Sequence, residues 1–167
     1  MKNLLLIRHA KSSWDHPGLS DHDRPLNDRG ERDAPQMAAA LSGRGIAPDA
    51  IVSSTAMRAA TTARVIADGL GFSEDRIQYR EDLFHASPKT ILKVVQQLDE
   101  SAGTALLLGH NPGMHDAADM FSGDQGVEMF PTLGVARFEL DIEYWGEAAP
   151  GCGFLVELLM PKNLKND

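Results

Sequence analysis

Leu4-Leu5-Leu6-Ile7-Arg8-His9-Ala10 is the stretch from which the rest of this chain can be read. Four consecutive apolar residues between polar flanks suit a short strand buried on both faces of a parallel sheet. The run stops on an arginine and a histidine. In open α/β sheets, ligands bind in the crevice outside the carboxyl ends of the strands. Arg8 and His9 are therefore expected where chemistry is done. A guanidinium there is a bidentate anion clamp, and a neutral imidazole is a nucleophile or a base.

Outward from this strand, the chain alternates short apolar runs with helical stripes. Ala50-Ile51-Val52-Ser53, Arg76 to Arg80 and Thr104-Ala105-Leu106-Leu107-Leu108 read as further strands. Lys11 to Asp23, with Trp14, Pro17 and Gly18, reads as an ordered loop. Ala34, Met37, Ala38 and Leu41 mark a helix ended by Gly43 and Gly45. Pro35 predicts that the regular helix either starts at an Asp33 cap or kinks there, because proline lacks the N–H and crowds the preceding turn. Ser54 is expected to cap a helix whose buried stripe is Ala56, Ala59, Ala63, Ile66 and Leu70. Ser87-Pro88 opens another helix, with Ile91, Val94, Val95 and Leu98 on its inner face. Asn111-Pro112 starts one that carries Met114, Ala117, Ala118 and Phe121. Val135 to Leu140 and Phe154 to Met160 follow one another with a Pro/Gly-rich turn and no helix, so they should pair as an antiparallel ribbon at one side of the sheet. The pattern predicts a three-layer α/β/α sandwich with a mostly parallel central sheet, in one domain spanning 1–167.

Charge narrows the function classes. Sixteen basic residues against twenty-four acidic ones give a formal charge of -8. That balance disfavours nucleic acid and anionic membrane as partners, since both want a basic face. Any anionic substrate must be held by a local basic pocket within an acidic shell. The single Cys152 excludes an internal disulfide and fits a reducing cytoplasm. Arg8 cuts the first apolar run far short of a secretory leader, and no later stretch is long enough to span a bilayer.

Two strand ends echo one another: the first gives Arg8-His9, the fourth Gly109-His110. Both histidines should face the same crevice. Arg58 joins them from the first turn of the helix after the second strand. A helix N-terminus already carries partial positive charge, so an arginine there makes sense if an anion lies between them. Arginine forks match phosphoryl oxygens, one imidazole can attack phosphorus, and the other can bond the phosphoryl oxygen as charge builds. The neighbouring cations should keep the attacking imidazole neutral.

Arg8-His9-Ala10, Ser53-Ser54-Thr55-Ala56-Met57-Arg58-Ala59 with Thr62-Ala63, and Gly109-His110-Asn111-Pro112-Gly113 resemble the three motifs of the histidine phosphatase superfamily, which has the phosphoglycerate mutase-like fold. Arg24-Pro25-Leu26, Asp82-Leu83-Phe84-His85-Ala86 and the short length are most similar to its SixA-type phosphohistidine phosphatases. Thr55 and Thr61 depart from the usual proline and glutamine. The resemblance implies that His9 is transiently phosphorylated and that Arg8, Arg58 and His110 complete a phosphate pocket. It also implies that Arg24 approaches the phosphate; Ser12 and Asn111 are the further substrate-binding candidates.

Mutase-like relatives carry a glutamate after the third strand that protonates the leaving group, and Glu81 and Asp82 fall in that region as candidates for a general acid. A phosphohistidine substrate needs such an acid less, because imidazole leaves more readily than an alkoxide. His16 and His22 lie in the polar loop, His85 near the rim, and His115 five residues after His110, a spacing that does not put two ligands on one helix face. No metal and no cofactor are expected. The short connection from the third strand to the Ser87 helix suggests an open pocket suited to a phosphorylated side chain on a protein. The alternatives are a small-molecule phosphatase or mutase-like enzyme acting on phosphorylated metabolites, and a non-catalytic phosphoryl-binding module.

Overall fold

The computed structural model describes residues 1–164; residues 165–167, the end of the expected domain, lie outside the described residues. One six-stranded sheet runs through it. Its strands are β1 (Lys2–Arg8), β2 (Ala50–Ser54), β3 (Gln78–Arg80), β4 (Thr104–Gly109), β5 (Val135–Leu140) and β6 (Gly153–Leu159), in the spatial order β3-β2-β4-β1-β5-β6. The pairs β3–β2, β2–β4 and β4–β1 are parallel, whereas β1–β5 and β5–β6 are antiparallel. Only β5 therefore runs against the rest, and β5 with β6 forms the closing ribbon.

The apolar runs form strands because both faces of the sheet are covered. Leu4 and Leu6 belong to one core, with α3 (Pro88–Gln96) and α4 (Gly113–Ser122); Leu5 and Ile7 belong to the other, with α1 (Asp28–Gly43) and α2 (Met57–Gly69). This is the three-layer α/β/α sandwich. Leu4, Leu5, Leu6 and Ile7 are essentially inaccessible, and each contributes roughly 1.5–3 kcal/mol relative to leaving it in water.

Three local expectations are corrected. First, α1 begins at Asp28 behind an Asn27 cap, whose side chain accepts the Gly30 N–H at 2.8 Å, and it runs unbroken past Pro35. Pro35 and Glu31 are both exposed, so the Glu31 carbonyl that proline leaves without an amide partner meets water. Second, Ser54 is not the cap of α2. It is the last residue of β2, and the helix starts at Met57 with Ala56 in the capping position. Third, the third strand is shorter than expected, because residues 74–76 form a helical turn before Gln78.

Candidate active site

Register builds the site. Arg8 lies opposite Gly109 across the parallel β1–β4 pair, and the His9 N–H donates to the Gly109 carbonyl at 3.1 Å. The residues that follow each strand, His9 and His110, thus emerge side by side, with ring centroids 5.1 Å apart. Behind them, Thr62 on α2 accepts the Ala10 N–H at 3.0 Å and donates its hydroxyl to the Arg58 carbonyl at 2.7 Å. That hydroxyl couples the turn carrying His9 to the first turn of the helix carrying Arg58.

The result is a cavity of about 400 Å³ lined by Arg8, His9, Ser12, Arg24, Arg58, His110 and Asn111. All seven were singled out from the sequence. Lys11, Trp14, Asp21, His85 and Thr132 complete the wall. Glu81 and Asp82, the sequence candidates for an acid, do not line it. Both are exposed in the turn after β3, and Asp82 is turned to Arg80, its carboxylate accepting from that guanidinium at 2.7 and 3.0 Å. The helical turn over Glu81–Leu83 sends Leu83, not either acid, into the molecule.

The two histidines are fixed by different partners. His9 is buried, and its Nδ1 lies 2.7 Å from the carbonyl of Ala10. A carbonyl only accepts, so Nδ1 carries the hydrogen and Nε2 keeps its lone pair. His110 Nε2 lies 2.8 Å from the Ser54 hydroxyl, whose oxygen also accepts the Ala56 N–H at 3.2 Å. Among the described residues the Ser54 hydroxyl hydrogen has no acceptor but Nε2, so it is given there and the ring's own hydrogen sits on Nδ1. Nδ1 is buried without a partner among the described residues, as is Nε of Arg8. Two orphaned donors on residues of one cavity are the signature of a site that receives an acceptor-rich group.

Burial, then the Arg58, Arg8 and Arg24 charges, lower the His9 pKa from 6.5 to about 4. Burial, then His9, Arg58 and His85, bring His110 down to about 3. Both rings are neutral across the physiological range.

Asp21 is the cavity residue that sequence reasoning missed. Its Oδ1 accepts from Arg24 Nη1 at 2.8 Å, and its Oδ2 from Arg58 Nη2 at 3.2 Å. Partial burial alone would raise its pKa, but the hydrogen bond from Arg24 and the Arg58 charge, with His85 adding a further bond, hold it at about 2. Arg24 also donates to the Ser13 carbonyl at 3.0 Å and to the Ser12 hydroxyl, while the Trp14 indole stacks 3.3 Å from its guanidinium carbon. The one visible signal for Asp21 was its place three residues before Arg24, in a pocket too rich in cations to stand without a counter-ion. At the cavity's inner end Arg8 Nη1 and the Asn111 side-chain amide both donate to the Phe130 carbonyl, at 3.3 and 2.7 Å.

The family match spans part of this site. Residues 4–84, which include Arg8, His9, Arg24 and Arg58, match the histidine phosphatase superfamily (branch 1). An uncharacterised protein of Mycobacterium tuberculosis is 32% identical over 165 residues, 93% of this chain and 100% of that one. Among solved structures, a SixA of Agrobacterium tumefaciens, provisionally assigned as a phosphohistidine phosphatase, is 29% identical with a TM-score of 0.82, covering 96% of this chain and 98% of that one. The fold is also that of a protein histidine phosphatase SixA complexed with tungstate, at 23% identity and a TM-score of 0.84 over 98% of this chain and 99% of the other.

Proposed function

This chain belongs to the histidine phosphatase superfamily, and on that premise we propose that it hydrolyses phosphorylated substrates through a covalent phosphohistidine on His9. The observation that carries the reading is the tautomer of His9: Nδ1 held by the Ala10 carbonyl at 2.7 Å leaves the Nε2 lone pair as the reactive one. Because the ring is neutral down to about pH 4, the lone pair is present without a base to expose it.

In this reading the phosphoryl group is bound by Arg8, Arg58 and His110, with Arg24, Ser12 and Asn111 at its edge. The guanidinium forks neutralise its charge. His110 Nδ1–H donates to a phosphoryl oxygen as negative charge gathers there, in a buried site where such a bond counts for more than in water. His9 Nε2 attacks phosphorus, and the bond to the leaving group breaks with its electron pair staying on the leaving atom. Water then attacks the phosphorylated His9, releasing inorganic phosphate and restoring the lone pair. No step asks for a metal ion.

The substrate we assign is phosphohistidine on a protein. Its support is the likeness to the Agrobacterium SixA, together with a mouth carrying Trp14 exposed to 78% and no insertion between β3 and α3. The test pairs two measurements. Rapid mixing with a phosphohistidine-bearing protein should give an acid-labile, base-stable phosphoenzyme that His9→Ala abolishes, with chelator changing nothing. Turnover should exceed that of a panel of sugar and amino-acid phosphates. A panel member that wins makes this a small-molecule phosphatase; binding without turnover makes it a phosphoryl-binding module.

A further inference from the structure

Breaking the bond to phosphorus leaves an electron pair that must take up a proton, and neither Glu81 nor Asp82 lines the cavity to supply it. One imidazole on the cavity wall has no part in holding phosphate. His85, in the connection of residues 81–87 between β3 and α3, lines the cavity from the rim. Its Nε2 lies 2.9 Å from Asp21 Oδ2, and its ring centroid 5.7 Å from that of His110. Its side chain is 57% exposed, so it exchanges protons with water freely.

The placement of His85 is specified. Its backbone sits at φ 54°, a left-handed conformation that side-chain-bearing residues rarely adopt and that persists where the surroundings hold it. Those surroundings can be named. Leu83 is buried on one side of it; on the other, Ala86 packs its carbonyl against Gly113 so closely that a Cβ on the glycine would run into it. The Phe84 ring lies 4.0 Å from His85 and 5.4 Å from His110, centroid to centroid. The start of α4, which follows His110, therefore seats the segment that carries His85.

We propose that His85, oriented by the Asp21 carboxylate, is the proton donor to the leaving group. The assignment rests on the phosphohistidine mechanism given above. As His9 Nε2 bonds to phosphorus and the bond to the leaving oxygen or nitrogen breaks, the departing atom keeps the electron pair and takes the proton from the His85 imidazolium. The neutral His85 then accepts a proton from the water that attacks phospho-His9, and the cycle closes with one alcohol or amine and one phosphate formed per water consumed. Asp21 is a positioning residue here. Held ionised by two arginines, it cannot give the proton itself, but it aligns His85 through the 2.9 Å contact with Nε2.

The experiment uses His85→Asn in the full chain. Asparagine tolerates the left-handed backbone and has no proton to lose. Wild type and variant are compared on aryl phosphates whose leaving phenols range from strongly to weakly acidic, alongside trapping of phospho-His9. The variant should match wild type within a few-fold on the best leaving group and lose about 10²-fold or more on the poorest, steepening the dependence of kcat/KM on leaving-group acidity. The basic limb of the pH profile on the poorest leaving group should vanish; the titratable groups facing His85 are Asp21 and His110, while His22 and Arg58 lie against the neighbouring Phe84 ring. An unchanged slope, or an equal loss on every substrate with phospho-His9 still formed, overturns the assignment of His85. Absence of phospho-His9 in wild type overturns the underlying mechanism instead.

Discussion

His9 and His110 stand with ring planes tilted by 52° and centroids 5.1 Å apart because Arg8 and Gly109 are register partners across β1 and β4. A slip of one residue between these strands would turn one histidine to the opposite face of the sheet. Their proximity also ties the two protonation states together, since charging either ring places a cation beside the other and beside three arginines.

That linkage has a sign. In the unfolded chain an imidazole titrates near 6.5, whereas His9 in the fold titrates at about 4 and His110 at about 3. As pH falls, the unfolded chain takes up these protons first, so the part of the stability that rests on the two neutral rings is lost between about 6.5 and about 3. Chemical denaturation from pH 7 to pH 4 should show a falling midpoint that is shallower in His9→Ala. Phosphoenzyme formation should likewise persist to about pH 5, once the titration of the substrate's phosphoryl group is divided out.

Ser54 has no exposure, and its hydroxyl is the partner of His110 Nε2. Ser54→Ala leaves that nitrogen buried and unpaired and releases the tautomer. We expect a loss of roughly 1–3 kcal/mol in unfolding free energy. Turnover should fall about tenfold with KM little changed, because His110 serves the transition state more than the bound substrate. Steady-state kinetics with urea titration separates the two effects.

Glu81→Gln and Asp82→Asn, singly and together, should leave turnover within a few-fold on good and poor leaving groups alike, since both carboxylates lie off the cavity. A loss approaching the 10²–10⁴-fold typical of a general acid, seen only on poor leaving groups, would return the role to one of them.

Gly113→Ala places a methyl group where the Ala86 carbonyl stands, a contact with backbone rather than with a yielding side chain. Stability should drop by about 1–3 kcal/mol, the usual cost of overfilling a packed site. In thermal melts the glycine variant should fall well below a control such as Gly43→Ala, where nothing stands in the way.

The strands and the four residues Arg8, His9, Arg58 and His110 were legible because their signals are local. A buried parallel strand is an unbroken apolar run, and its carboxyl end is where an α/β sheet presents side chains. Asp21 and His85 were not legible as a pair. They lie in different loops, and nothing in either segment states that Asp21 Oδ2 and His85 Nε2 come within 2.9 Å. The N-terminus of α2 misled for a related reason: serine before an apolar stripe reads as a cap, but here its hydroxyl is drawn to His110. Pro35 misled because its missing N–H was weighed as a break, although the stripe Ala34, Met37, Ala38 and Leu41 leaves it on the exposed face, where the freed carbonyl meets water.

The strand order carries one consequence for how the molecule comes into being. β1 is made first, yet both its neighbours, β4 and β5, lie beyond residue 103. On the ribosome the most apolar segment of the chain waits with both edges open while α1, β2, α2, β3 and α3 emerge. Pairing over such separations is slow and leaves unpaired edges exposed to other chains. Fragments ending before Thr104 should therefore aggregate rather than fold, and His9 should first meet His110 only once β4 has emerged to pair with β1.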